Sequence, residues 1–175
     1  TDATIHEDIL TWDYTVYPPG HFDVIWASPC CTQYSCARRN AKTPRNLTLA
    51  DSLVLRSREI IDYYNPRVWF IENPQTGLLK DRPFMHGLPY CDIDYCCYCD
   101  WGYRKRTRLW NNIGFVGDRC PGKGSCPSMV GCRHRATAQQ GRNKTSSGTY
   151  GGHFTVDKLH RIPPSLCSRI EHVCR

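Results

Sequence analysis

The feature that most constrains the fold is a strand, helix and strand pattern whose two strands each end at a proline. A run of β-forming residues at 24–27 is stopped at Pro29, because proline lacks the N–H that would continue a strand ladder. Apolar residues then recur at helical spacing across 48–64, and a second β-forming run, 68–71, is stopped at Pro74. This order predicts a βαβ unit with parallel strands and a right-handed crossover.

The boundaries of this unit also have recognisable signals. Thr48 and Asp51 are expected to form a capping box, in which Thr48 accepts a hydrogen bond from a first-turn N–H and Asp51 reaches back. Asn65 and Pro66 end the helical pattern. Ahead of the unit, residues 4–10 are expected to form a short strand that runs into an acidic turn.

Two reactive side chains follow the two predicted strands. Cys31 comes just after the first strand, and Glu72 comes just after the second. Because the carboxyl ends of parallel strands open on one edge of a sheet, we expect both groups to face one cleft. A thiol in such a cleft can be held as a thiolate by cations or backbone N–H groups. Taken singly, each residue also fits an ordinary alternative, a small buried hydrophobe for the cysteine and a solvated loop carboxylate for the glutamate.

Charge and cysteine content narrow the class of protein. The 175 residues carry a formal charge of +7, from 23 Lys and Arg against 16 Asp and Glu, which favours a polyanion as partner. No apolar run reaches the roughly 18 residues that a membrane span needs, and no signal peptide is visible. The 12 cysteines, without secretory features, fit thiols kept for chemistry or metal binding. We therefore expect an intracellular protein that is not secreted and binds no membrane.

A cysteine-rich segment offers ligands for a metal ion. Tetrahedral zinc needs four ligands, which usually arrive as close pairs along the chain. Any four of the following would suffice for a structural zinc: Cys96, Cys99, Cys120, Cys126, Cys132 and His134. The spacing is looser than that of a zinc finger, so a set of buried free thiols is the alternative.

Four stretches resemble signature motifs of the DNA cytosine-5 methyltransferases, most closely the shorter viral and algal-type members. They are Ser-Pro-Cys-Cys-Thr-Gln-Tyr-Ser at 28–35, Phe-Ile-Glu-Asn-Pro at 70–74, Tyr-Arg-Lys-Arg-Thr-Arg-Leu-Trp at 103–110 and Arg-Ile-Pro-Pro-Ser-Leu at 161–166. The resemblance spans nearly the whole chain. Cys31, four residues before Ser35, takes the nucleophile position. Cys30 stands where the family usually has a second proline.

The resemblance implies an α/β fold with a Rossmann-like S-adenosylmethionine-dependent methyltransferase sheet, and an enzyme that acts on cytosine in DNA. In that chemistry the Cys31 thiolate adds to C6 of a flipped-out cytosine, C5 takes the methyl group, and loss of the C5 proton is followed by release of the cysteine. Glu72 would hydrogen-bond N3 and the amino group of the base, and Asn73 would shape its loop. Such an enzyme would work in the nucleus or cytoplasm of a host cell.

The basic motif at 103–108 can be aligned with the family pattern in two ways. Either Lys105 and Thr107 or Arg106 and Arg108 point inward, and the sequence does not decide between them. We place Arg106 among the catalytic residues. The expected DNA contacts are Ser35, Arg104, Lys105, Thr107, Arg108, Arg133 and Arg135. A solvated basic strand is the alternative for this motif.

The cofactor site that the resemblance implies is incomplete. Asp8 and Ile9 resemble the segment that contacts the cofactor adenine, and Pro29 is assigned to the same site. The glycine-rich motif expected upstream and the acidic residue that binds the ribose are absent, and His160 stands near where the family's last motif has asparagine. The chain is interpreted as a truncated methyltransferase, a split subunit whose missing motif a second chain supplies, or a relic that binds no cofactor.

Three regions are expected along the chain. They are a partial catalytic α/β core over 1–116, incomplete at the N-terminal edge of its sheet, a short glycine- and cysteine-rich loop region over 117–152 in place of a target-recognition domain, and a C-terminal segment over 153–175 that returns to the core. The alternative function is a catalytically silent, zinc-stabilised DNA-binding protein or regulatory subunit derived from such a methyltransferase. The missing glycine-rich motif favours this alternative, and the intact Cys31 and Glu72 favour the enzyme.

Overall fold

The computed structural model describes residues 3–122, 124–126, 128–130, 133–134, 136–137 and 159–174, which form a mixed α/β fold. Its α-helices include α1 (Leu47–Tyr64) and α2 (Pro164–Cys174). The strands are β1 (Val24–Ala27), β2 (Val68–Pro74), β3 (Tyr90–Asp94), β4 (Tyr103–Arg104), β5 (Arg106–Asn111), β6 (Met129–Val130), β7 (Arg133–His134) and β8 (Ala136–Thr137).

The main sheet has four strands in the order β1–β2–β5–β3. Strands β1 and β2 are parallel, with Ile25 opposite Trp69, and α1 connects them, so the predicted βαβ unit is confirmed. Strand β5 is antiparallel to both of its neighbours, with Leu109 opposite Glu72 on β2 and opposite Cys91 on β3. The short strands pair in two smaller sheets, β4 with β8 and β6 with β7, which lie within or beside the region predicted as loop.

The side chains of β2 alternate between two hydrophobic cores, because successive residues of a strand point to opposite faces. Phe70 packs in one core with Leu166 of α2. Ile71, the next residue, packs in the other core with Val54 of α1. The sheet therefore has a helix on each face, and Glu72 continues the face of Phe70.

The start of α1 differs from the predicted capping box. Asn46, rather than Thr48, is the N-cap, and its side chain accepts a hydrogen bond from a first-turn N–H at 3.0 Å. The capping box is absent because the Asp51 carboxylate is used elsewhere. It accepts a hydrogen bond from the Tyr34 hydroxyl at 2.7 Å and forms an ion pair with Arg82. Asp51 thus links the helix to the loop that follows β1.

The predicted strand at 4–10 is wrong, since residues 3–10 contain no strand. The acidic turn that was expected to follow it is present, and the Asp8 carbonyl accepts a hydrogen bond from the Trp12 N–H at 2.8 Å. The Asp8 carboxylate also accepts from the Leu10 N–H at 3.0 Å. Such local side-chain bonds compete with strand pairing and explain the difference.

The end of α1 lies where the sequence predicts it, and β2 extends further than predicted. Asn65 is the C-cap of α1 and has a left-handed φ of 45°, as the predicted helix end requires. Strand β2, however, continues to Pro74, because β5 pairs with it as far as Thr107. Proline is tolerated there because the neighbouring Gln75 N–H, and not that of residue 74, makes the ladder bond to β5, donating to the Arg106 carbonyl at 3.1 Å. Glu72 therefore lies within the strand rather than in a loop.

Candidate active site

The loop after β1 carries the predicted nucleophile. The chain leaves β1, passes Pro29 and turns at Cys31, whose carbonyl accepts a hydrogen bond from the Tyr34 N–H at 3.1 Å. Cys31 is partly buried and lines a cavity of about 460 Å³. Cys30 lines the same cavity but is exposed, and its thiol donates to the Thr32 hydroxyl at 3.3 Å. The two neighbouring thiols thus have different surroundings.

The end of β2 reaches this cavity from the neighbouring strand. Glu72 is 7% exposed and lines the cavity beside Cys31. Asn73, the next residue, donates from Nδ2 to the Pro29 carbonyl at 3.0 Å and so links the end of β2 to the loop after β1. The structure therefore brings Cys31 and Glu72 to one cavity, as the parallel order of their strands predicts.

A buried lysine completes the wall of the cavity. Lys105 lies between β4 and β5, is 7% exposed and has its Nζ 3.4 Å from Oε1 of Glu72. Its Nζ also lies 4.6 Å from the centroid of the Tyr95 ring. Arg106 is exposed and does not line this cavity. The structure thus favours the alignment in which Lys105 and Thr107 point inward.

The charges around Cys31 act on its thiol in opposite directions. Burial raises the pKa of Cys31 above its ordinary value, and the negative charges of Glu72 and of a Cys30 thiolate raise it further. The positive charge of Lys105 lowers the same pKa. The thiol is therefore protonated near neutral pH, and Lys105 is placed to stabilise the thiolate when it forms.

Two arginines predicted to contact DNA form intramolecular ion pairs. Arg104 contacts both carboxylate oxygens of Asp94, at 2.8 and 3.0 Å. Arg108 contacts both oxygens of Asp92, at 2.7 and 3.0 Å, and its guanidinium lies 3.6 Å from the centroid of the Tyr90 ring. These two bidentate pairs connect β3 to β4 and β5.

The other predicted DNA contacts lie in different surroundings. Ser35 lines the cavity, and its hydroxyl accepts from the Ala37 N–H at 3.2 Å. Thr107 is fully buried, and its hydroxyl has no hydrogen-bond partner among the described residues. The backbone of Arg133 lies in β7, and Arg135 lies outside the described residues.

A second cavity, of about 500 Å³, adjoins the first and shares Ser28, Pro29 and Cys30 with it. The predicted cofactor residue Ile9 also lines it, whereas Asp8 does not and is engaged in its turn. The sequence analysis missed Glu7, Trp12, Trp26 and Ile60, which also line this cavity. They come from the N-terminal segment, β1 and α1, so no local pattern could have grouped them.

Four of the six predicted metal ligands converge. The ligand atoms of Cys96, Cys120, Cys126 and His134 all lie within 4.8 Å of one another. Cys99 is not part of this cluster, and its thiol donates to the Tyr95 carbonyl at 3.1 Å. Cys132 lies outside the described residues.

The surroundings of the cluster suit metal binding. Burial and the positive charge of Arg104 lower the pKa of His134, which keeps its ring neutral and able to donate a lone pair. The Cys120 N–H donates to Oδ2 of Asp94 at 2.9 Å, and Asp94 in turn holds Arg104. Cys96 and Cys126 are buried. Three sulfur atoms and one imidazole nitrogen are a common ligand set for structural zinc.

Within the part of the chain that the structure describes, no helix combines the length and apolar character that crossing a membrane requires.

Comparison with known proteins gives one result that bears on the whole chain. No family model matches. Among curated proteins, the chain is similar to a "Probable DNA (cytosine-5)-methyltransferase" of Frog virus 3 (isolate Goorha), at 38% identity over 190 residues that span 99% of this chain and 86% of the relative. Identity of this level over almost the full length establishes common descent. The chain therefore belongs to the DNA (cytosine-5)-methyltransferase family.

Proposed function

We propose that this chain transfers a methyl group from S-adenosylmethionine to C5 of a flipped-out cytosine in DNA, through a covalent adduct with Cys31. The meeting of Cys31, Glu72 and Lys105 in one cavity carries the proposal. Addition to the cytosine ring needs a nucleophile, a group that holds the ring nitrogen, and a positive charge near the thiolate. The cavity of about 460 Å³ is of a size that accepts a single base.

Cys31 supplies the nucleophile. Its thiol loses a proton, and Lys105 stabilises the resulting thiolate, since its charge lowers the pKa of Cys31. The thiolate forms a bond to C6 of the base, which makes C5 electron-rich. After C5 has accepted the methyl group, a base from solvent removes the C5 proton, the electrons of that bond restore the C5–C6 double bond, and Cys31 leaves as a thiolate when the bond between sulfur and C6 breaks.

Glu72 supplies the group that recognises the base. Its carboxyl group hydrogen-bonds N3 and the amino group of cytosine, which selects cytosine and stabilises the adduct as charge develops on the ring. Asn73 holds the loop of Cys31 against β2 through its bond to Pro29. The base is hidden inside duplex DNA, so it must leave the stack to reach these groups.

The adjoining cavity fits S-adenosylmethionine. Its tryptophans and aliphatic side chains offer apolar and aromatic surface to an adenine ring, and Glu7 offers a carboxylate to polar atoms of a nucleoside. The two cavities meet at Pro29 and Cys30. When bound, S-adenosylmethionine supplies the methyl group as an electrophile. Ile9 and Pro29 would hold it, and Asp8 is retained as a candidate through its position in the adjacent turn.

We also propose that the four-stranded sheet is part of a Rossmann-like methyltransferase sheet. The parallel pair β1–β2 supports this, because it carries Cys31 and Glu72 at its carboxyl ends, where ligands of such sheets bind. Strand β1 has one hydrogen-bonded neighbour in the described part of the sheet. Its other edge is where strands of a second chain that carries a glycine-rich motif would add.

Zinc is the metal that the cluster of Cys96, Cys120, Cys126 and His134 fits best. Four protein ligands fill a tetrahedral coordination sphere, so the ion would be structural and would not take part in the reaction. It would connect the turn after β3 to the hairpin of β6 and β7. The cysteine-rich region would then be an ordered insert beside the catalytic core.

DNA is the proposed macromolecular partner, and an enzyme that acts on it would work inside a cell, in the nucleus or cytoplasm of a host. Ser35 and Lys105 line the cavity that would receive the base, and Thr107 is buried in β5, which begins directly after Lys105. Arg133 and Arg135 are proposed to contact phosphates, as the basic charge of the chain suggests.

Covalent trapping tests the proposal. Duplex DNA with 5-fluorocytosine at the target, incubated with the protein and S-adenosylmethionine, should give a denaturation-resistant adduct, because fluorine cannot leave as the C5 proton does. Cys31→Ala should abolish the adduct and Cys30→Ala should retain it, since Cys31 keeps the family spacing to Ser35. An adduct that maps to Cys30 would overturn the assignment.

A catalytically silent DNA-binding protein is the alternative, and calorimetry separates it from the enzyme. A silent DNA-binding protein would bind duplex DNA and show no heat of S-adenosylmethionine binding, alone or with a partner chain that carries a glycine-rich strand, turn and helix. The proposed split subunit would gain cofactor affinity when that partner is added.

A further inference from the structure

Three buried polar groups meet on the inner side of the cavity. Glu72 is 7% exposed, Lys105 is 7% exposed and Tyr95 is 0% exposed. The Tyr95 hydroxyl donates to Oε1 of Glu72 at 3.4 Å, and Nζ of Lys105 lies 3.4 Å from the same oxygen. A hydrogen bond and an ion pair therefore converge on one oxygen of the carboxyl group.

Tyr95 lies behind Glu72 and contacts its carboxyl group through the phenol hydroxyl. It does not line the cavity, so it does not touch a bound base. Its ring lies under the Lys105 ammonium, 4.6 Å from Nζ, and its N–H donates to the Lys105 carbonyl at 3.0 Å. It belongs to the 3₁₀ turn Tyr95–Cys97 and packs in the same core as Phe70. Its hydroxyl is therefore held in one place by a packed ring and a fixed backbone.

We propose that Tyr95 is a positioning residue for catalysis, which reserves Oε1 of Glu72 as an acceptor and so directs the carboxyl proton to Oε2. This inference rests on the proposed function of the cavity. A protonated carboxyl group has one donor oxygen, and an oxygen that already accepts from a phenol and faces an ammonium is the less favourable place for the proton. Oε2 is then the oxygen that takes up a proton from solvent when cytosine binds, and its O–H donates to N3 of the base, which is an acceptor.

The arrangement also bears on the choice of base. Uracil and thymine carry a hydrogen on N3, so an O–H group on Oε2 would meet a donor and leave both groups unpaired. Without the Tyr95 hydroxyl, Lys105 alone would bias the carboxyl group, and a part of the Glu72 population would present the wrong oxygen. Chemistry would slow while DNA binding, which depends on other contacts, would be preserved.

Kinetics of Tyr95→Phe test this, because the substitution keeps the ring and removes the hydroxyl alone. We expect kcat for methyl transfer to fall about tenfold, with the KM for DNA unchanged. Tyr98→Phe is the matched control. Its hydroxyl comes from the same segment but accepts from the Asp118 N–H at 2.6 Å, and its loss should leave kcat at the wild-type level.

A double-mutant cycle separates a positioning role from a structural one. In the Glu72→Gln background, single-turnover methyl transfer should be no slower with Tyr95→Phe than without it, since the hydroxyl acts through the carboxyl group. An equal loss in both backgrounds, or a wild-type kcat for Tyr95→Phe, would overturn the inference and leave the proposed function intact. A wild-type protein without methyl transfer, even with a partner that completes the cofactor site, would overturn both.

Discussion

Asn73 and Pro29 are joined by a hydrogen bond of 3.0 Å, in which the side chain at the end of β2 donates to a backbone carbonyl in the loop that carries Cys31. The bond connects the two neighbouring strand ends directly. Oδ1 of Asn73 is buried and has no hydrogen-bond partner among the described residues. The Asn73 side chain thus makes one hydrogen bond, as a donor, and this bond fixes the distance between the cysteine loop and Glu72.

Removing this bond should loosen the cysteine loop. Asn73→Ala is expected to lower the free energy of unfolding by about 1–3 kcal/mol, because the Pro29 carbonyl loses its partner, and to slow adduct formation with 5-fluorocytosine DNA. Denaturant unfolding and trapping rates measure the two effects. Asn112→Ala is the control, since Asn112 links its side chain to the opposite end of β2 at Trp69. It should cost stability and leave the trapping rate of the remaining folded protein unchanged.

The pH dependence of Cys31 alkylation should show how Glu72 and Lys105 change the pKa of its thiol. Burial and Glu72 raise the pKa of Cys31, so its alkylation by iodoacetamide should increase with pH up to an inflection above that of an exposed cysteine. Lys105→Met removes a charge that lowers this pKa and should move the inflection to higher pH. Mass spectrometry in a Cys30→Ser background follows the single thiol. Equal inflections for Lys105→Met and wild type would contradict the assigned role of Lys105.

The metal content of the protein should depend on the four residues of the cluster and not on the total number of cysteines. The purified protein is expected to hold about one zinc per chain, and Cys120→Ser should lose it. Cys99→Ser is the matched control, because Cys99 lies in the same segment but outside the cluster, and it should retain the metal. Elemental analysis and the absorption of a cobalt-substituted protein provide the readout. Loss of zinc from Cys99→Ser with retention in Cys120→Ser would exclude this ligand set.

DNA affinity should depend on salt, and only some arginines should contribute. Each neutralised phosphate releases counterions, so replacing Arg133 and Arg135 together by glutamine should weaken binding and reduce the salt slope by about two. Arg104→Gln should leave the slope unchanged, since its guanidinium is paired with Asp94. Fluorescence anisotropy with a labelled duplex at several salt concentrations measures the slope. Affinity that stays constant as salt rises would count against DNA as the partner.

The meeting of Cys31 and Glu72 could be predicted from local signals. Two prolines mark the strand ends, and a helical pattern between them requires the strands to be parallel. The choice between Lys105 and Arg106 could not be predicted in this way. The chain leaves β4 and enters β5 around Lys105, and an alternating pattern loses its phase wherever a strand is interrupted.

Contacts between segments that are distant in sequence explain the other features that the sequence did not predict. Thr48 and Asp51 satisfy the capping rule, yet Asp51 is engaged by Tyr34 and Arg82, and Asn46 supplies the cap. The contact of Tyr95 with Glu72 depends on how β3 lies beside β5, which no spacing in the sequence encodes. The same reason explains why six candidate ligands could be named and the four that converge could not be singled out.

The alternation of side chains along β2 constrains the length of this strand more strongly than its composition. Phe70 and Glu72 lie on one face, toward the core that contains Tyr95. Ile71 packs against α1 on the other face. Asn73 follows Glu72 and donates a hydrogen bond to the Pro29 carbonyl. Inserting one residue between Phe70 and Glu72 would move Glu72 to the opposite face and bury its carboxyl group beneath α1, even though every side chain is retained. Homologous chains that keep this chemistry should therefore tolerate substitutions in β2 but not changes in its length, and gaps in their alignment should fall outside 68–74.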